Sequence, residues 1–217
     1  MALGMEFPMI LPRLLSCLIG YVFGCVLTGE IIAYRFAGKS AKHLGETGNP
    51  GMANIMASLG FVPGILVLVG DIVKTALAIV ISWLLFKDAG WIVVLYAGLG
   101  ATLGHDFPFW RKFRGGKGVV TTNLAITVYN PLWGVVANLL GAAIVAATQY
   151  LCLAGPACPA VYAIIMFIRG DWEAGVLSLA LTVLALICHG SSIRGMFNGT
   201  TSRTDVIGAL KKKLSKK

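Results

Sequence analysis

Several stretches of this chain approach or exceed the roughly 20 consecutive apolar residues that a helix needs to cross a bilayer. No other feature narrows the possible folds as much. The runs are too many and too widely spread to be one signal peptide, whose apolar core is short and N-terminal. None alternates with period two, so a membrane β-barrel is not indicated. Composition agrees: of 217 residues 57% are hydrophobic and 12% charged, too few polar groups to cover a soluble domain of this size. The expectation is an all-α, polytopic integral membrane protein, with one membrane domain over residues 1–200 and a basic tail over 201–217.

Seven helical segments can be drawn, at 9–36, 62–86, 91–103, 118–130, 132–150, 156–168 and 172–188. Asn130-Pro131 ends the fourth, since proline cannot continue a helix. The net charge of +9 does not point to nucleic acid, because most of the 18 Lys and Arg residues fall into three groups. Arg35, Lys39 and Lys42 form the first, and Arg111, Lys112, Arg114 and Lys117 the second. The third runs from Arg194 and Arg203 to the terminal lysines. Seven crossings place all three groups on one side. By the positive-inside rule that side is the cytoplasm, leaving residues 87–90 outside. The tail suits anionic headgroups. The glycine-rich polar segments 37–54, 104–118, 150–155 and 188–200 all fall on the same side and are expected to converge there. Irregular backbone at a membrane must be buried in protein or line an aqueous cavity.

Two of these segments suit phosphate. In Gly45-Glu46-Thr47-Gly48-Asn49-Pro50-Gly51-Met52-Ala53-Asn54 the glycines allow positive φ and inward-turned N–H groups. Thr47, Asn49 and Asn54 add neutral polar groups and Lys42 a nearby cation. An ordinary connecting loop would use the same residue types. In Arg114-Gly115-Gly116-Lys117-Gly118, the amides and positive dipole end of the helix that follows would meet an anion, and Lys117 adds full charge. The preceding Phe107, Phe109, Trp110 and Phe113 suit the headgroup level. Asp71 and Lys74, three apart within an apolar helix, share one face and are expected to form a structural ion pair. His189 is expected at the end of the seventh helix, as a dipole-compensating cap or a base. The five cysteines have no C-x-x-C spacing, and no carboxylate cluster suggests a metal.

Together the motifs resemble the acyl-phosphate:glycerol-3-phosphate acyltransferases of the PlsY family. Gly24 to Ala33 is similar to that family's G-S-I-x-x-G-x-x-I-A, and Thr47 to Asn54 to its S-G-N-x-G-A-T-N. Asp71 to Lys74 resembles its D-x-x-K. Gly104 to Thr121 resembles G-H-x-x-P-x-F-x-x-F-K-G-G-K-G-V-A-T. Residues 149–155 lack the arginine and serines of the corresponding family loop, and residues 189–200 lack its Glu-Asn pair.

The resemblance implies transfer of a fatty acyl group from acyl phosphate to the sn-1 hydroxyl of glycerol 3-phosphate, without a cofactor or metal. It implies a bacterial plasma-membrane protein with its site facing the cytoplasm and membrane lipids as neighbours. Lys117, His105 and His189 are then the catalytic candidates. Lys42, Thr47, Gly48, Asn49, Gly51, Asn54, Arg114, Gly115, Gly116, Gly118 and Thr121 are the candidates for binding phosphate. A relative with another acceptor, an inactive lipid-binding relative and a small transporter are the alternatives.

Overall fold

Glycine and alanine decide how the first helices meet. In the computed structural model, which describes residues 7–201 and 203, α1 (Phe7–Gly24) lies against α5 (Val93–Asp106). A side chain at Gly20 or Gly24 would strike the carbonyls of Ala97 and Ala101, and one at Gly100 or Gly104 those of Cys17 and Tyr21. Two small-x-x-x-small pairs thus interlock backbone to backbone, as helices do in lipid where close packing replaces the hydrophobic drive.

The chain divides into two compact units, Met1–Pro131 and Leu132–Lys217. The first also holds α2 (Thr28–Ala37), α3 (Met52–Leu59), α4 (Phe61–Phe86) and α6 (Val119–Tyr129). Here α5 is the central helix, packed on α1, α4 and α6, and most of its residues are buried. The second unit holds α7 (Pro131–Thr148), α8 (Ala154–Ile168) and α9 (Trp172–Phe197). Helix α8 packs along α9, Gly141 of α7 meets Cys158 of α8, and the Arg169 guanidinium sits 5.3 Å from the Trp133 ring centre. No strand occurs among the described residues.

Among the described residues, five stretches are long and apolar enough to cross a membrane: Met9–Ala37, Phe61–Ala89, Pro131–Thr148, Leu151–Ile168 and Trp172–Phe197. Their outer faces expose Leu11, Leu14, Leu18, Val73, Val80, Leu84, Val183 and Ile187, a surface made for lipid. The other two expected crossings are shorter. Helices α5 and α6 have 14 and 11 residues. At 1.5 Å per residue they rise about 21 Å and about 17 Å, less than the ~30 Å hydrocarbon core. Burial of α5 within its unit lets it end in polar residues at that depth.

Three expectations need correction. The segment 9–36 is not one helix but two, broken at residues 25–27. The loop carrying Asn54 does not stay irregular, because α3 begins at Met52. The last helix does not stop at residue 188 but continues to Phe197. The tail beyond Arg203 lies outside the described residues.

Candidate active site

The break between α1 and α2 leaves the carbonyls of residues 24–26 to find donors outside the helix, and side chains supply them. Lys74 Nζ, from the middle of α4, donates to Val26 O at 2.8 Å and Gly24 O at 3.3 Å. Trp110 Nε1 donates to Cys25 O at 2.8 Å. The same Lys74 ammonium lies 2.8 Å from Asp71 Oδ1 and 2.8 Å from His105 Nδ1. Asp71 Oδ1 also accepts from the Thr28 hydroxyl. The expected Asp71–Lys74 pair is therefore present, as the centre of a buried network rather than as an isolated bridge. With Lys74 donating, His105 Nδ1 accepts, which assigns the ring proton to Nε2.

His105 carries that order outward. Its backbone carbonyl accepts from Gly116 N–H, and the carbonyl of Asp106 accepts from Gly115 N–H, both at 2.8 Å. A Cβ at Gly115 would meet those carbonyls, and one at Gly116 would meet the His105 ring. The two glycines thus let the loop lie directly on the end of α5. Two expectations change as a result. The amides of Gly115 and Gly116 are held by protein carbonyls and do not form an anion cradle. His105, 4% exposed and wedged between Lys74 and Gly116, braces the loop from behind and is not placed as a base. Thr121 is likewise turned inward, donating to Gly118 O at 2.9 Å and lying 3.0 Å from Thr102 Oγ1.

The loop after α2 is braced by its own polar side chains. Asn54 Nδ2 donates to Leu44 O at 3.0 Å and Asn49 O at 2.9 Å, and its Oδ1 accepts from the Thr47 hydroxyl at 2.9 Å. Asn49 Oδ1 accepts from Gly51 N–H at 2.7 Å. Asn49, Thr47 and Asn54 therefore shape this loop through bonds among themselves and to its backbone. Gly45 and Gly48 take positive φ as expected, while Gly51 is extended and precedes α3.

What the two loops form between them is a cationic cleft of about 540 Å³, lined by Lys42, Gly48, Trp110, Arg111, Lys112, Arg114 and Gly115. The meeting of the two glycine loops is thus observed. Lys112 and Phe113 are consecutive non-glycine residues at φ 53° and 58°, a conformation costing about 1–3 kcal/mol each. Hydrogen bonds from Phe113 N to Pro108 O and from Arg114 N to Arg111 O hold it. Arg111, Lys112 and Trp110 join the cleft although they stand outside the glycine motif. Their basic and aromatic run was the available signal. Lys117 and Gly118 are not among the lining residues. They precede α6, where Gly118 has φ +60° as the residue before the first turn.

In the second unit the segments 150–155 and 188–200 also meet. Gly155 packs on the His189 ring, and Arg203 lies 5.5 Å from the Tyr150 ring centre. His189 is buried inside α9, its Nδ1 2.9 Å from Ala185 O, and so is no helix-end cap.

Apolar helices of membrane-crossing length, with a basic cleft on glycine loops, define a polytopic integral membrane protein. The comparisons give the class a family. Residues 14–199 match the family model described as glycerol-3-phosphate acyltransferase, and the chain belongs to that family of membrane acyltransferases. It is 35% identical to glycerol-3-phosphate acyltransferase 1 of Lactobacillus johnsonii, over 92% of this chain and 96% of that one. It is 34% identical to the enzyme of the same name from Lactobacillus acidophilus, over 93% and 97%. A crystal structure of PlsY, described as an integral membrane glycerol 3-phosphate acyltransferase in its glycerol 3-phosphate form, superposes with a TM-score of 0.78 at 25% identity. It covers 91% of this chain and 98% of its own.

Proposed function

We propose that the protein transfers a fatty acyl group from acyl phosphate to the sn-1 hydroxyl of glycerol 3-phosphate, giving lysophosphatidic acid. The reaction takes place at the cytoplasmic face of a bacterial plasma membrane. The observation that carries this reading is the cleft where Lys42, Arg111, Lys112 and Arg114 meet between two glycine loops, in a chain of this family. The solved relative in its glycerol 3-phosphate form supports the acceptor.

The chemistry suits such a cleft. Acyl phosphate is a mixed anhydride and arrives activated, so no cofactor is required. The acceptor hydroxyl oxygen bonds to the acyl carbon as the bond from that carbon to the phosphate oxygen breaks. The hydroxyl proton leaves with the phosphate. The protein has to hold two anions, align the oxygen on the carbon, and stabilise the charge that builds on the carbonyl oxygen and leaving group. The cleft cations serve the first task. Lys117, with the first-turn amides of α6, serves the leaving phosphate.

Purified protein incubated with acyl phosphate and a panel of phosphorylated alcohols tests this directly, with lysophosphatidic acid the expected product. Lys117→Ala should lower turnover by about 10²-fold or more. Lys87→Ala, on the exposed turn after α4, should leave it near the parental rate. Acylation of a different alcohol would reassign the acceptor. No acylation at all would leave a lipid-binding relative, and an unimpaired Lys117→Ala would remove that lysine from the mechanism.

A further inference from the structure

Beneath the cleft lies a carboxylate that none of its functions so far requires. Glu30, in the first turn of α2, is 5% exposed and is not among the lining residues. A buried carboxylate is costly unless paired and hydrogen-bonded, and this one is both. It forms an ion pair with the Arg111 guanidinium. It accepts from the Ser40 hydroxyl at 3.1 Å and from Ala41 N–H at 3.3 Å. Arg111 Nη2 donates to the same Ser40 Oγ at 3.2 Å, while its Nη1 donates to Arg114 O at 3.2 Å.

These bonds reach both walls of the cleft. Ala41 precedes Lys42, on the wall from the first loop. Arg111 and Arg114 are on the wall from the second. The planar fork of one arginine spans between them, and Glu30 fixes that fork from below. Neither position 30 nor position 111 is specified by the family motifs above.

We propose that Glu30 is a positioning residue. Acting through Arg111, it sets the spacing of the cationic walls, and with it the affinity for the phosphate of the substrate. The proposal rests on the assignment of the cleft as the phosphate site. It separates binding from chemistry: a mis-set cleft loses affinity, while the transfer step, once substrate is seated, proceeds as before.

A double-mutant cycle tests it, using Glu30→Gln, Arg111→Gln and the double variant, with KM and kcat measured for glycerol 3-phosphate and for acyl phosphate. Gln at position 30 retains the shape, and its single amide oxygen can still accept from either the Ser40 hydroxyl or Ala41 N–H. Each single change should raise KM for at least one of the two substrates about tenfold with kcat within about twofold, the pattern of lost uniform binding. The double variant should be no worse than Arg111→Gln alone, since the carboxylate acts only through the guanidinium. Additive losses in the cycle would overturn the proposal, as would a fall in kcat at constant KM. So would a lowered melting temperature with both constants unchanged, which marks a purely structural pair. If Glu30→Gln does not survive purification, Glu30→Asp replaces it with the same outcomes. Calorimetric binding of glycerol 3-phosphate to each variant keeps this test separate from the assignment of the reaction. Failure of the parent to acylate refutes the transferase reading, whereas equal binding by parent and Glu30→Gln refutes the role of Glu30.

Discussion

At Lys74 a single ammonium, set in an apolar helix, meets four acceptors: Asp71, His105 and the carbonyls of Gly24 and Val26. Removing one partner of a buried pair leaves the other charge uncompensated, which typically costs about 3–5 kcal/mol. Lys74→Met should therefore destabilise the protein by roughly that amount, read as a lowered denaturation midpoint in detergent. Adding Asp71→Asn should recover part of the loss, because the stranded carboxylate goes with it. A double variant no more stable than Lys74→Met would show that the lost carbonyl contacts, not the charge, dominate. The Asp71–Lys74 pair was legible in the sequence because three residues on a helix place two side chains on one face. Nothing local announced that His105 and a helix break would join it. Those partners come from other helices, and only packing brings them in. The same holds for Glu30 and Arg111, which read separately as a helix residue and a loop cation. Asn49 and Asn54 stand out as polar residues in the sequence, but their partners in the loop's own backbone do not: Asn54 Nδ2 donates to the carbonyls of Leu44 and Asn49, and Asn49 Oδ1 accepts from Gly51 N–H.

At the level of elements, the apolar runs located the long helices well, since length and hydropathy are local properties. Helix α5 was found on the same basis, but its reciprocal glycine contact with α1 was not. The spacing of Gly20 and Gly24, and of Gly100 and Gly104, was there to be read as a small-residue seam. Pairing the two seams needed the fold. Gly100→Ala places a methyl against the Cys17 carbonyl and should separate the helices, at a cost of about 1–3 kcal/mol or more. Gly190→Ala, within α9 and with open space around it, is the matched control. Helix propensity alone makes that change neutral or stabilising by up to about 1 kcal/mol. Thermal unfolding of both variants in one detergent decides the matter, and equal midpoints would contradict a close α1–α5 contact. The break after Gly24 escaped the sequence reading because its cause, a set of donors on α4 and the loop after α5, lies far along the chain.

For the whole molecule, the distribution of charge predicts that residues 87–90 face away from the cytoplasm and that the C-terminus faces it. Asp88 is exposed in the turn after α4, so an Asp88→Cys variant on a cysteine-free background can be labelled in intact cells. Modification by an impermeant reagent added outside is the expected result. Labelling only after the membrane is opened would invert the topology. The break between α1 and α2 also bears on biogenesis. Ribosomes deliver the chain from its N-terminus, so the first hydrophobic segment reaches the membrane before the residues that will satisfy its carbonyls at 24–26 have been made. Unpaired carbonyls in hydrocarbon cost several kcal/mol each. The nascent segment therefore enters most cheaply as one uninterrupted helix. The break is then expected to form once Lys74 and Trp110 are available to replace the helical hydrogen bonds. The basic cleft, whose lining Trp110 is anchored at that break, is for the same reason a late product of synthesis, and not a structure that the N-terminal third of the chain can assemble on its own.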